Sequence, residues 1–216
     1  NSLANFPYQD NDYNTYSTTD TDWSKEYLGV GTNLYADLSL TSGTEKTSNY
    51  VTGSYYQTNN TVKGDSQQRF SFRTRNTFDF TNWLKLNAQL SASYNTNDLF
   101  PLYRGFLETL PILEPYMSDG SFRLYNKVYD ASSGGWVMQK FTKNEVPSRE
   151  ANTNKQRSVV TSANFSLEAK IIDGLKFTSQ YAIDYTHSHE DIYYSRLTLN
   201  GMDSAGNPKG SSRRAD

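Results

Sequence analysis

Trp83-Leu84-Lys85-Leu86-Asn87-Ala88-Gln89-Leu90-Ser91-Ala92-Ser93-Tyr94 is the stretch that decides the fold. In an extended chain Leu84, Leu86, Ala88, Leu90, Ala92 and Tyr94 share one face, and Lys85, Asn87, Gln89, Ser91 and Ser93 share the other. No helical periodicity fits the same residues. One side of this strand is built for an apolar medium and the other for water. Working outward, the pattern recurs over residues 157–171, where Val159, Ala163, Phe165, Leu167, Ala169 and Ile171 oppose Ser158, Ser162, Asn164, Ser166, Glu168 and Lys170, with Val160 and Thr161 as small exceptions. Over residues 175–185 Leu175, Phe177, Tyr181, Ile183 and Tyr185 oppose Lys176, Thr178, Gln180 and Asp184. Upstream, Phe70, Phe72, Phe78 and Phe80 oppose Ser71, Arg73, Arg75 and Asp79, and Leu34, Ala36, Leu38 and Leu40 oppose Tyr35, Asp37, Ser39 and Thr41. A strand over residues 49–57 is less clear, because Tyr50, Tyr55 and Tyr56 fall on both faces.

These six strands run about 10 to 14 residues, roughly twice the length usual in soluble proteins. At about 3.3 Å per residue and a tilt near 40°, a dozen residues rise close to 30 Å, the thickness of a bilayer's hydrocarbon core. All six prolines, Pro7, Pro101, Pro111, Pro115, Pro147 and Pro208, fall outside the strands, where a missing N–H harms no ladder. Ser42-Gly43-Thr44-Glu45, Thr81-Asn82 and Asp173-Gly174 make tight connections, the last a hairpin signal. Residues 58–68, 95–156 and everything after 186 make longer ones. Short and long connections therefore alternate, which sets all short turns at one end of an up-and-down sheet. Phe78, Phe80 and Trp83 gather at a short turn, and Tyr94, Tyr181 and Tyr185 are expected toward the long-connection ends, as aromatic girdles would be. The fold class read from the sequence is all-β, an antiparallel up-and-down transmembrane β-barrel segment. Its parts are an extracellular-side lead-in over 1–31, four strands over 32–95, a long extracellular loop over 96–156, two strands over 157–186, and a loop or further strand over 187–216.

Composition narrows the alternatives. A mean hydropathy of -0.77 would suit a polar soluble chain, yet 17 Tyr and 11 Phe are far too many for a disordered one. No run of about 18 apolar residues exists, which excludes a membrane-spanning helix but not a spanning strand. The absence of cysteine removes disulfides, thiol nucleophiles and Cys-based zinc sites together. A net charge of -2 without a basic patch sets nucleic acid aside. The chain opens at Asn1 with no charged-then-apolar leader, so a piece of a longer protein is expected.

Thr21-Asp22-Trp23, Leu38-Ser39-Leu40-Thr41-Ser42-Gly43-Thr44-Glu45-Lys46-Thr47 and Tyr50-Val51-Thr52-Gly53-Ser54-Tyr55 resemble stretches of the SusC/RagA-type TonB-dependent transporters of Bacteroidetes. So do Trp83-Leu84-Lys85-Leu86, Ser118-Asp119-Gly120-Ser121-Phe122 and Ile172-Asp173-Gly174-Leu175-Lys176-Phe177. Their order over residues 20–190 carries the resemblance more than any single motif. It implies a larger barrel of about 22 strands closed by an N-terminal plug, in the bacterial outer membrane. The implied activity is import of large nutrients, oligosaccharides or peptides. The implied partners are a SusD-like surface lipoprotein as lid, and the TonB complex acting through an N-terminal part that this chain does not contain.

Residues 95–156 are the best place for function, since so long a connection is usually functional or disordered. Its apolar cluster of Leu99, Phe100, Leu102, Tyr103, Phe106, Leu107, Leu110, Ile112 and Leu113 has helical spacing over 102–110. Tyr103, Tyr116, Tyr125, Tyr129 and Trp136 are the candidates to stack on sugar or contact peptide, with packing of the loop as the more ordinary use of the same rings. Arg73, Arg75, Lys85, Glu168, Lys170, Lys176 and Asp184 are assigned to the lumenal face. Facing lipid near the midplane, each charge would cost up to about 2 to 4 kcal/mol. Asp10, Asp12 and Asn14 begin like a calcium loop, but Thr15 and Thr21 stand where Gly and Glu are needed. His187 and His189, before Glu190 and Asp191, read as an exposed polar loop rather than a metal site. No Ser-His-Asp order, carboxylate pair or phosphate-binding glycine loop appears, so neither catalysis, a cofactor nor a metal is expected. The competing reading is a soluble secreted β-sandwich binding glycans, whose apolar faces would pack on one another.

Overall fold

The computed structural model describes residues 19–100 and 107–215. Seven strands form one sheet, β1 (Thr32–Gly43), β2 (Thr47–Asn59), β3 (Ser66–Asp79), β4 (Leu84–Asp98), β7 (Thr153–Ile172), β8 (Leu175–Tyr194) and β9 (Ser211–Ala215). They lie side by side in chain order and every neighbouring pair is antiparallel, an up-and-down meander. A separate hairpin, β5 (Tyr125–Asp130) with β6 (Gly135–Lys140), and two short helices, α1 (Trp23–Tyr27) and α2 (Val146–Ala151), lie in the connections.

Register shows how the alternation adds up. Paired residues of antiparallel strands point to the same side. Leu38 pairs with Gly53, Gly53 with Phe72, Phe72 with Ala92, Ala92 with Thr161 and Thr161 with Tyr185. Towards the short turns the row Asn76-Ala88-Phe165-Tyr181 follows, then Phe78-Leu86-Leu167-Ser179. Six long strands thus align their apolar halves into one continuous face. The partners also resolve β2, where Tyr55 joins that face beside Phe70 while Tyr50 and Tyr56 lie opposite Arg75 and Arg69 on the other.

Among the described residues nothing covers this face. Leu38 is 81% exposed, Leu40 67%, Phe70 55% and Tyr181 63%. No second sheet stacks on it among the described residues. The two-sheet sandwich therefore fails, because its apolar halves would have to bury one another.

The opposite face carries a polar lattice between strands. Ser91 and Ser162 hydroxyls lie 3.1 Å apart, Thr77 donates to Asn87 at 2.9 Å, and Asn97 donates to Gln156 at 3.2 Å. By register Arg73, Arg75, Lys85, Glu168, Lys170, Lys176 and Asp184 all stand on this side. Lys85 pairs with Asp79 at 3.7 Å, and Lys176 forms an ion pair with Glu168.

Several elements differ from expectation. β7 and β8 run 20 residues each, beyond residues 157–186, because ladder hydrogen bonds continue past the apolar band wherever both strands persist. His187 and His189 consequently lie in β8 rather than in a loop. Tyr181, expected near a rim, stands in the middle of the band opposite Phe165. The connection between β2 and β3 shrinks to residues 60–65, and β9 supplies a seventh strand. The expected helical stretch over 102–110 lies mostly outside the described residues.

Candidate functional site

The long connections gather at one end of the sheet, and their own packing builds the site. Asp22 caps α1 by accepting from the Lys25 N–H at 3.2 Å, which turns Trp23 and Tyr27 inward. These two meet Leu113, Phe141 and Val146 in a small core, with Phe100, Ile112 and Tyr116 packed against it. The Trp23 indole lies edge-on to Phe141, centroids 5.8 Å apart, and donates to the Leu110 carbonyl at 3.1 Å. The Tyr27 hydroxyl donates to the Lys143 carbonyl at 3.3 Å and accepts from the Glu145 N–H. Residues more than a hundred positions apart are thereby joined above the strand ends. Pro147 in the first turn of α2 fits a position whose N–H has no helical partner.

Polar side chains hold the remaining loops. The buried Asn144 amide donates to the Pro115 and Arg123 carbonyls, at 2.8 and 2.9 Å, and buried Arg123 donates to Asn126 at 3.0 Å. Asn152 accepts from the Ser195 N–H at 2.8 Å and from the Thr198 hydroxyl at 3.0 Å, tying the end of α2 to the connection after β8. Arg149 donates to the Glu26 carbonyl, joining α2 to α1.

Between α2 and the strand ends opens a hollow of about 260 Å³, lined by Asp98, Phe100, Glu145, Arg149, Asn152, Asn154, Ile192 and Tyr194. Half-burial pushes the Glu145 carboxyl up to about 7. Burial, then the Glu150 carboxylate that accepts its hydrogen bond, raises the Tyr116 hydroxyl to about 12.

The candidate aromatics divide. Tyr103 lies outside the described residues. Tyr116 stacks on Phe122 at 5.9 Å and donates to Glu150 at 2.7 Å, while the Tyr125 hydroxyl contacts the Met202 sulfur at 3.5 Å. Tyr129 and Trp136 face each other across the β5–β6 hairpin, edge to face at 5.7 Å, with Tyr129 46% exposed. Motif reading missed Glu145, Arg149 and Asn152, whose roles arise from the fold of α2 over the sheet. Among the described residues no cluster of three His, Asp or Glu side chains is placed to hold a metal.

No protein-family profile matches the chain. It is 24% identical over 192 residues to the TonB-dependent receptor P26 of Formosa agariphila, covering 88% of this chain and 18% of that protein. The RagAB peptide importer in its closed-closed state superposes with a TM-score of 0.65 at 21% identity, over 97% of this chain and 22% of that one. In its open-open state the score is 0.67 at 19% identity, over 97% and 22%. A further structure, of the RagAB peptide transporter, gives 0.66 at 20% identity, over 91% and 22%. The chain thus spans about a fifth of the length of the relatives it matches. One open antiparallel sheet, apolar on one side and polar on the other, gives the chain the fold class of a transmembrane β-barrel segment. Within that class, its fold is similar to a segment of the structures of the RagAB peptide importer.

Proposed function

We propose that this chain is part of the wall of an energy-coupled outer-membrane importer of large nutrients, oligosaccharides or peptides. The observation that carries the reading is the predominantly apolar face shared by six strands, open to lipid and backed by a polar face suited to an aqueous lumen. Arg73, Arg75, Lys85, Glu168, Lys170, Lys176 and Asp184 then contact the plug or line the solute path. The unit built on Trp23 and Tyr27 covers the barrel's outer mouth. There the exposed Tyr129, backed by the half-buried Trp136, offers ring surface to sugar or peptide, and Tyr116 and Tyr125 hold the loop in shape. The names of the structural neighbours favour peptides as substrate. A SusD-like surface lipoprotein serves as lid, and TonB supplies energy through the part of the protein outside this chain. The reading asks no catalysis of these residues.

The test is deletion of the gene for the intact protein, with uptake of labelled oligopeptides and oligosaccharides followed in whole cells. Loss of one class, with the protein in the outer-membrane fraction and a surface lipoprotein co-purifying, is the expected result. Unchanged uptake of both, or a protein found in the soluble fraction, defeats the reading.

A further inference from the structure

The outward face changes character abruptly at its long-connection end. Tyr94, Val159 and His187 form its last mostly apolar row, and the next two rows hold Arg157 with His189, then Lys155, Asp191 and Arg214. Asp191 accepts from Arg157 at 3.0 Å and Arg214 at 3.1 Å, with His189 at 3.2 Å, and Lys155 pairs with Asp98 at 3.3 Å. Among the described residues three permanent cations thus stand against two carboxylates, and the Arg214 side chain is 71% exposed. At the short-turn end the same face holds Phe78, Leu86, Ala169 and Phe177, with no such cluster.

Depth gives this asymmetry a meaning. From Leu84 to Tyr94 the strand climbs about 34 Å along its own axis, about 26 Å along the barrel axis at a 40° tilt, which matches the apolar band of such barrels. The cations lie one to two rows beyond, at headgroup level. Directly on the membrane side opens a shallow apolar hollow of about 620 Å³, lined among others by Leu38, Gly53, Tyr55, Phe72, Tyr94 and Val159. Gly53 and Ala92 leave it room, since their row carries almost no side chain between Leu38 and Phe72 or between Phe72 and Thr161.

We propose that Lys155, Arg157 and Arg214 bind the phosphate group of a phosphorylated glycolipid in the outer leaflet, with one acyl chain resting in the adjoining hollow. Guanidinium groups suit this task because they meet phosphate oxygens through paired N–H donors, and the excess of cations over carboxylates attracts the anion. The inference rests on the outer-membrane barrel reading above.

The test uses the intact protein, purified from outer membranes and placed in phosphatidylethanolamine nanodiscs with either bisphosphorylated or dephosphorylated lipid A, whose co-purification is measured by mass spectrometry. The wild-type protein should retain the phosphorylated form about ten-fold better, and Arg157→Gln/Arg214→Gln should erase that preference. Equal retention of the two lipids by wild type overturns the proposal without reference to any variant. So does an undiminished preference in the double variant. Displacement of the lipid by millimolar inorganic phosphate would show a free-anion site and equally overturns it. If the intact protein is absent from the outer membrane, the barrel reading itself fails; if it is present without phosphate preference, only this inference does.

Discussion

At the scale of single residues, the unit above the sheet depends on a few side chains. The Tyr27 hydroxyl joins the Lys143 carbonyl and the Glu145 N–H in a buried setting, so Tyr27→Phe strands two backbone groups. The expected cost is about 1–3 kcal/mol, read as faster hydrogen exchange in α1 and α2 while the strand amides stay unchanged. Glu145 makes the same unit sensitive to pH. Its folded pKa of about 7 lies above its ordinary value of 4.5, because half-burial disfavours the charge. The folded form therefore binds more protons, and the contribution of this group is fully present below pH 4.5 and lost as pH rises through about 7. Protection factors in α2, with the intrinsic pH dependence of exchange divided out, should rise on acidification over that window, and Glu145→Gln should flatten the dependence. An exchange profile that keeps its slope in the Gln variant would assign the effect to another group.

At the scale of the strand, neighbouring residues have opposite duties. Leu90 sits between Thr74 and Ala163 on the apolar face, whereas Gln89 beside it faces Arg75 and accepts its hydrogen bond at 3.3 Å. Leu90→Arg should cost about 2–4 kcal/mol in reversible folding of the intact barrel into phospholipid vesicles, and Gln89→Arg under about 1 kcal/mol. Equal costs would mean that the two faces meet the same medium. The β7–β8 hairpin shows a second lesson of this scale. Alternation in its apolar stretch ends near the membrane boundary, but the paired strands continue to Thr153 and Tyr194 through polar and charged rows. Hydrophobic patterning marks where a strand meets lipid, not where its hydrogen bonds stop.

For the whole molecule, the decisive feature is that the sheet has edges and, among the described residues, no lid over its apolar side. β1 offers one full unpaired edge, and β9 covers only residues 190–194 of β8 at the other. Residues 1–216 expressed alone in water should therefore aggregate, and detergent micelles should restore strand content by circular dichroism. A soluble cooperative monomer without detergent would contradict the lipid-facing assignment. Such edges disappear in a closed barrel, where the missing neighbours come from the rest of the wall.

The sequence by itself determined six long strands, the division of each into wet and greasy halves, and the order of short and long connections, because period-2 alternation and turn chemistry are local properties. It also gave the polar-face charges a shared parity along each strand, and pairing keeps that parity on one side of the sheet. What only the tertiary structure decided was cross-strand register and long-range closure. Register brought Lys155 and Arg157 of β7 and Arg214 of β9 to one spot and settled the faces of Tyr50 and Tyr55. Closure carried Trp23 and Tyr27 onto Phe141 and Val146, a contact that no local pattern encodes because its partners lie more than a hundred residues apart.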